Sequence, residues 1–117
     1  MKDIKKSITY KDKVYTVVFN LNVMEVIQEE YGSIDKWGEL TDGKSGEVNA
    51  KALIFGMAAM INEGLEIESE ETGTPFVPVT LKPAGRIITE IGLQTATETL
   101  NETVVESSKD DHPQKNG

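Results

Sequence analysis

The sequence predicts an α+β domain that is mostly α-helical. An N-terminal β-hairpin packs on a small bundle of about three to four helices, and a disordered C-terminal tail follows. Three observations carry this. Residues 4–20 alternate apolar and polar side chains about a polar break. Ala52–Ile61, read as ALIFGMAAMI, is the longest apolar run in the chain. Ala84, Ile87, Ile88 and Ile91 repeat at i, i+3, i+4, i+7. Residues 1–106 are expected to form one domain, with 93–106 frayed, and 107–117 the tail.

The composition sets the frame. The chain has 117 residues, enough for one domain with a modest core, and 38% are hydrophobic, so it is expected to fold. Acids outnumber bases 20 to 12, for a net charge of −8 and a pI near 4.6, which argues against a nucleic-acid surface. There is no cysteine, so neither disulfides nor thiolate metal sites are available. The start, Met1–Lys6, is basic but leads into alternation and not into the apolar core of a signal peptide. A bilayer span takes about 20 apolar residues, so the central run is read as a core helix. The plain expectation is a cytosolic soluble protein with no membrane partner.

In the hairpin, Ile8 and Tyr10 alternate with Ser7 and Thr9, and Tyr15, Val17 and Phe19 alternate with Val14, Thr16 and Val18. Lys11-Asp12-Lys13 suits a tight turn. The second strand is apolar on both faces: one face belongs on the helices, and the other is open to a further strand or a further chain. Residues 22–31 then read as a helix, with Asn22 as N-cap, Glu25 closing a capping box, and Leu21 and Val26 placed for a hydrophobic staple. Val23, Val26, Ile27 and Tyr31 form its stripe, and Gly32 follows where a left-handed residue is usual.

Ser33 is placed to cap a short turn through Trp37, which reads as a lid at the core edge with its N–H near water. Residues 41–48 are a loop by composition. The letters from Gly38 to Ser45 fit G-x-x-x-x-G-K-[ST], but a phosphate loop sits between a strand and a helix. A helical turn precedes Gly38, and Gly46 interrupts the helix that should start after Ser45, so a solvated loop is expected.

The central helix, taken over 49–65, puts Ala50, Leu53, Ile54, Met57, Ile61 and Leu65 on one face and Ala52, Phe55, Gly56 and Ala59 on the other. The second ridge is narrow. It fits tight packing within the domain, or a docking groove for a partner helix with Phe55 as anchor. Residues 62–79 read as the main irregular stretch, very acidic through Glu63, Glu66, Glu68, Glu70 and Glu71, without EF-hand spacing. Its expected role is a mobile loop able to receive a basic partner. Thr80 caps the next helix and Pro83 falls in its first turn. Beyond Gly92, Leu93, Ala96, Leu100 and Val104 give a thinner stripe among Thr and Glu. His112, the single histidine, falls in the tail, and no nucleophilic or metal constellation emerges. No catalytic residue, cofactor or metal is therefore expected.

Residues 8–32 carry a resemblance. Ile8-Thr9-Tyr10-Lys11-Asp12-Lys13-x-Tyr15-x-x-x-Phe19 runs into Val23-x-x-Val26-Ile27-x-Glu29-x-Tyr31-Gly32. The pattern resembles the small tail assembly chaperones of long-tailed bacteriophages, across roughly residues 4–92. The acidic stretch and Pro75-x-x-Pro78 depart from it. The resemblance implies a non-enzymatic protein that binds the tape measure protein, keeps it soluble and helps recruit tail tube subunits. It implies action in the host cytoplasm during assembly and absence from the mature virion. Phe55, Gly56, Ala59, Leu93 and Leu100 are the expected contacts, against the alternative that all five are internal core. Self-association stays open. The family often makes a longer product by programmed frameshift. Gln114-Lys115-Asn116 is compatible with the slippery run A-AAA-AAC, as it is with an ordinary Lys-Asn pair. The alternative reading is a small structural or adaptor subunit of a phage particle, assembling through strand Val14–Phe19.

Overall fold

In the computed structural model, which describes residues 4–44 and 46–109, the chain forms strands β1 (Ile4–Tyr10) and β2 (Lys13–Phe19). Five helices come after them: α1 (Leu21–Tyr31), α2 (Ile34–Thr41), α3 (Ala50–Thr72), α4 (Leu81–Ile91) and α5 (Leu93–Ser108). The α+β architecture is the expected one, a two-stranded antiparallel hairpin on a helical layer.

The hairpin turn is tighter than its polar break suggested. Tyr10 pairs with Lys13, leaving Lys11 and Asp12 as the two turn residues, with φ of 49° and 65°. Two left-handed residues in succession make a type I′ turn, whose twist matches that of the strands. The register pairs Ile8 with Tyr15 and Lys6 with Val17. On this face Ile8, Val17 and Phe19 join the core, and Lys6 reaches Glu106 of α5 at 3.3 Å.

The edge of β2 is not free along its length. Tyr10–Lys13 closes the turn as a hydrogen-bonded pair, so by alternation Ser7–Thr16 is a non-hydrogen-bonded pair and the Thr16 carbonyl points away from β1. Gly64 of α3 sits against that carbonyl: a Cβ added there would lie 2.3 Å from the Thr16 oxygen. A further strand could not pair at Thr16 without displacing α3. Val17, Val18 and Phe19 are wholly buried, and the exposed apolar residue of the strand is Val14.

Helix α1 starts one cap earlier than its sequence suggested. Asn20 is the N-cap, its Oδ1 accepting from the Val23 N–H at 3.2 Å, and Asn22 lies inside the helix. Both asparagines donate to Glu63 of α3, Asn20 at 2.7 Å and Asn22 at 3.4 Å. No capping box forms at Asn22, because the helix has already begun at Leu21. Leu21 and Val26, the expected staple, are both exposed. Gly32 does close the helix, with φ of 92°.

Ser33 caps α2, accepting from the Lys36 N–H at 3.0 Å, and the helix runs on to Thr41. Trp37 is therefore mid-helix. It is 1% exposed, and its indole N–H donates to the Ala52 carbonyl at 2.9 Å, so it is a core residue and not a lid. The donor finds a backbone carbonyl in the first turn of α3 instead of water, on an oxygen whose other lone pair serves the helix.

Helix α3 is longer than expected. It is capped by Asn49, whose Oδ1 accepts from the Ala52 N–H at 2.9 Å, and it continues through the glutamates to Thr72, where Gly73 ends it with φ of 74°. The acidic stretch is thus helix and not the expected loop, because Glu is a good helix former and Leu65 and Ile67 are partly buried on the inner side. Irregular chain is confined to 73–80. That segment returns along α3 and is held by Asn62, which donates to the Val79 carbonyl at 2.9 Å and accepts from its N–H at 2.7 Å.

In α4 the predicted stripe holds: Ala84, Ile87 and Ile88 are buried and Ile91 is partly so. Thr80 occupies the N-cap position without a side-chain cap bond. Helix α5 is regular over its length and extends past 106. Its inner stripe is Ala96, Leu100, Thr103 and Ser107. The Thr103 and Ser107 hydroxyls donate to carbonyls one turn back, both at 2.7 Å, which lets polar side chains face the core with their hydrogen bonds made. The expected tail residues 110–117, with His112 and Gln114–Asn116, lie outside the described residues.

Candidate helix-docking groove

A helix pair buries its facing stripes and leaves a furrow where side chains are small. Between α1 and α3 the small side chain is Ala59. The groove there has a volume of about 510 Å³. Val23, Val26, Ala59 and Ile67 give its apolar part, and Asn22, Asn62, Glu25, Glu63, Glu66 and Glu70 the polar part. The α3 members fall at i, i+3, i+4, i+7, i+8 and i+11 from Ala59, a continuous helical face. Val26 is 42% exposed at the α1 side, so the groove offers open apolar surface beneath four carboxylates.

One of the groove acids, Glu70, sits where the helix macrodipole opposes it. Glu70 and Glu71 lie in the last turn of α3, which carries no basic residue. Negative charge at a helix C-terminus is opposed by the macrodipole, by about 0.3–1 kcal/mol per residue at the surface. Among the described residues no group of three or more His, Cys, Asp or Glu side chains is arranged to hold a metal ion.

The five expected contact residues do not form one surface. Ala59 lines the groove. Phe55, one turn earlier, is partly buried and meets Tyr31 edge-on, with ring centroids 5.5 Å apart and planes at 78°. The Tyr31 hydroxyl is buried without a hydrogen-bond partner, and burial, then the nearby Glu30 charge, pushes its pKa up. Gly56 is under Trp37: a Cβ added there would be 2.3 Å from the indole Cζ2. Leu100 is 1% exposed in the core, so neither it nor Gly56 has surface to offer. Leu93 is exposed at the start of α5 and lies outside the groove lining. The contacts missed by sequence reasoning are Val26 and Ile67; Glu66 and Glu70 were expected to face a basic partner, but from a mobile loop and not from a helix. The helical spacing from Ala59 to Glu70 was the signal, obscured by the loop-like composition of the glutamate stretch.

The Gly38–Ser45 segment lacks the setting of a phosphate loop. Gly38 is inside α2, the loop follows a helix and not a strand, and the Lys44 N–H is bonded to Asp42 Oδ1 at 2.8 Å. Ser45 lies outside the described residues. Among the described residues no helix is long and apolar enough to cross a membrane.

No protein-family model, curated protein or solved structure matches the chain.

Proposed function

We propose that this chain is a tail assembly chaperone of the kind its residues 8–32 resemble, a binding protein and not an enzyme. In this reading it holds an amphipathic helix of the tape measure protein in the α1/α3 groove and helps bring tail tube subunits to it in the host cytoplasm. The observation that supports it is the groove itself, apolar where Val26, Ala59 and Ile67 meet and carboxylate-rich along Glu25, Glu63, Glu66 and Glu70. An amphipathic helix seats its apolar stripe in such a groove, and basic residues flanking the stripe pair with the acids. The helix-dipole cost borne by Glu70 fits placement for a partner, since local rules are most often broken at functional sites.

Co-expression tests the reading. The tape measure protein is produced with the wild-type chain, with a Val26→Glu/Ala59→Leu variant that fills and charges the groove, or alone. The expected result is soluble tape measure protein with wild type only, and no chain in purified mature particles. Equal solubility in all three cultures overturns the proposal. So does retention of the chain in particles, which is the outcome a structural or adaptor subunit predicts.

A further inference from the structure

A second groove lies roughly 120° around α3 from the first, by the 100° step per helical residue. It runs between the start of α3 and the outer side of α4 and has a volume of about 540 Å³. Ile54 and Leu81 supply its apolar surface, and Leu81 is 55% exposed. Gly85 lets α4 close on Ile54, since a Cβ there would be 3.3 Å from the Ile54 Cδ1. The charged residues along it are Lys51, Lys82 and Arg86, and no acid lines it. In a chain of net charge −8, this gathers three of 12 bases around one apolar furrow. Lys51 has a distant partner, Glu30 at 4.0 Å, with the lysine side chain largely in solvent and the glutamate about half exposed.

We propose that this groove is a second docking site, for an acidic amphipathic helix of a different protein partner. Charge complementarity selects the sign of the occupant, and the apolar strip of Ile54 and Leu81 selects an amphipathic helix over a simple polyanion. A polyphosphate would gain little from that strip and would be repelled by the net charge of the whole chain. A second copy of this chain is the competing occupant, and its binding would show as an oligomer. The site is independent of the function proposed above. It gives the molecule two grooves of opposite charge, which two different helices could occupy at once.

The probe is a fluorescein-labelled synthetic helix of about 20 residues, with leucines at i, i+3, i+4 and i+7 and glutamates on both flanks. Its control carries lysine at each glutamate. Anisotropy is read with the full chain, with Lys82→Glu/Arg86→Glu, and with Leu81→Ser; all three side chains are exposed, so the fold is spared. The acidic probe should bind, weaken with salt, lose about tenfold in affinity on charge reversal, and lose several-fold with Leu81→Ser. No binding of the acidic probe, or binding indifferent to the reversal, overturns the proposal. Full affinity with Leu81→Ser overturns it as well, since that result describes a polyanion surface. A wild-type oligomer in sedimentation that the charge reversal dissolves would make a second copy the occupant, and overturns it too.

Discussion

Gly56→Ala adds one methyl group where the structure has no room for it. The new Cβ would lie 2.3 Å from Trp37 Cζ2, 2.9 Å from Cε2 and 3.1 Å from Nε1. The indole is held by α2 on one side and by its bond to the Ala52 carbonyl on the other, and it is 1% exposed. It must move, and overpacking of this kind costs about 1–3 kcal/mol. Moving the ring also strains a buried hydrogen bond, and a buried donor left unmade costs about 1–3 kcal/mol. Against this, Ala is favoured over Gly inside a helix by about 1 kcal/mol. The net expectation is a loss of about 2 kcal/mol, or about 10 °C in Tm for a domain of this size. Urea unfolding followed by the fluorescence of the single Trp and by helical circular dichroism measures it. Gly38→Ala is the control. Gly38 is also helical, but nothing lies within 4 Å of its added Cβ, so the variant should gain about 0.5–1 kcal/mol from propensity alone. If Gly56→Ala is as stable as Gly38→Ala, the close packing of Trp37 on α3 is refuted. If it stays fully stable yet loses a partner, the small-residue ridge is a docking surface after all.

Other perturbations draw on the same contacts. Asn20→Ala removes the α1 cap and the bond to Glu63, and should cost about 1 kcal/mol or somewhat more, while Asn22→Ala should stay within about 0.5 kcal/mol; paired urea melts distinguish the two. Gly64→Ala drives a methyl group into the Thr16 carbonyl, a backbone atom that cannot rotate aside. A loss of about 2 kcal/mol is expected, with faster amide exchange in β2. Tyr31→Phe keeps the edge contact with Phe55 and removes the unpartnered hydroxyl, so stability should be unchanged or rise by up to about 1 kcal/mol. The sign of its pH effect is fixed by the raised pKa. The folded state keeps the phenolic proton longer than the unfolded state, so wild-type stability falls as pH climbs above the ordinary value of 10.0. The Phe variant should lack that part of the alkaline loss, as Tm measured against pH would reveal.

The sequence alone determined the elements whose signal is local. The hairpin rests on the alternation of Ile8 and Tyr10 with Ser7 and Thr9, on the β-branched and aromatic run Val14–Phe19, and on the polar break between them. The α4 stripe of Ala84, Ile87, Ile88 and Ile91 and the terminator Gly32 are likewise local. Tertiary structure decided what depends on partners distant in sequence. Asn20 rather than Asn22 caps α1 because the chain leaves β2 in extended conformation at Asn20 and is already helical from Leu21. Trp37 is core because a backbone carbonyl of α3, distant in sequence, accepts its indole N–H through a second lone pair. The glutamates after Leu65 are helical because Gly64 and Ile67 pack beside β2 and carry the chain through them. The same packing divided the five expected contacts. A ridge of small residues reads alike whether it receives a partner or its own Trp, and only the fold sends Gly56 to Trp37 and leaves Ala59 in an open groove.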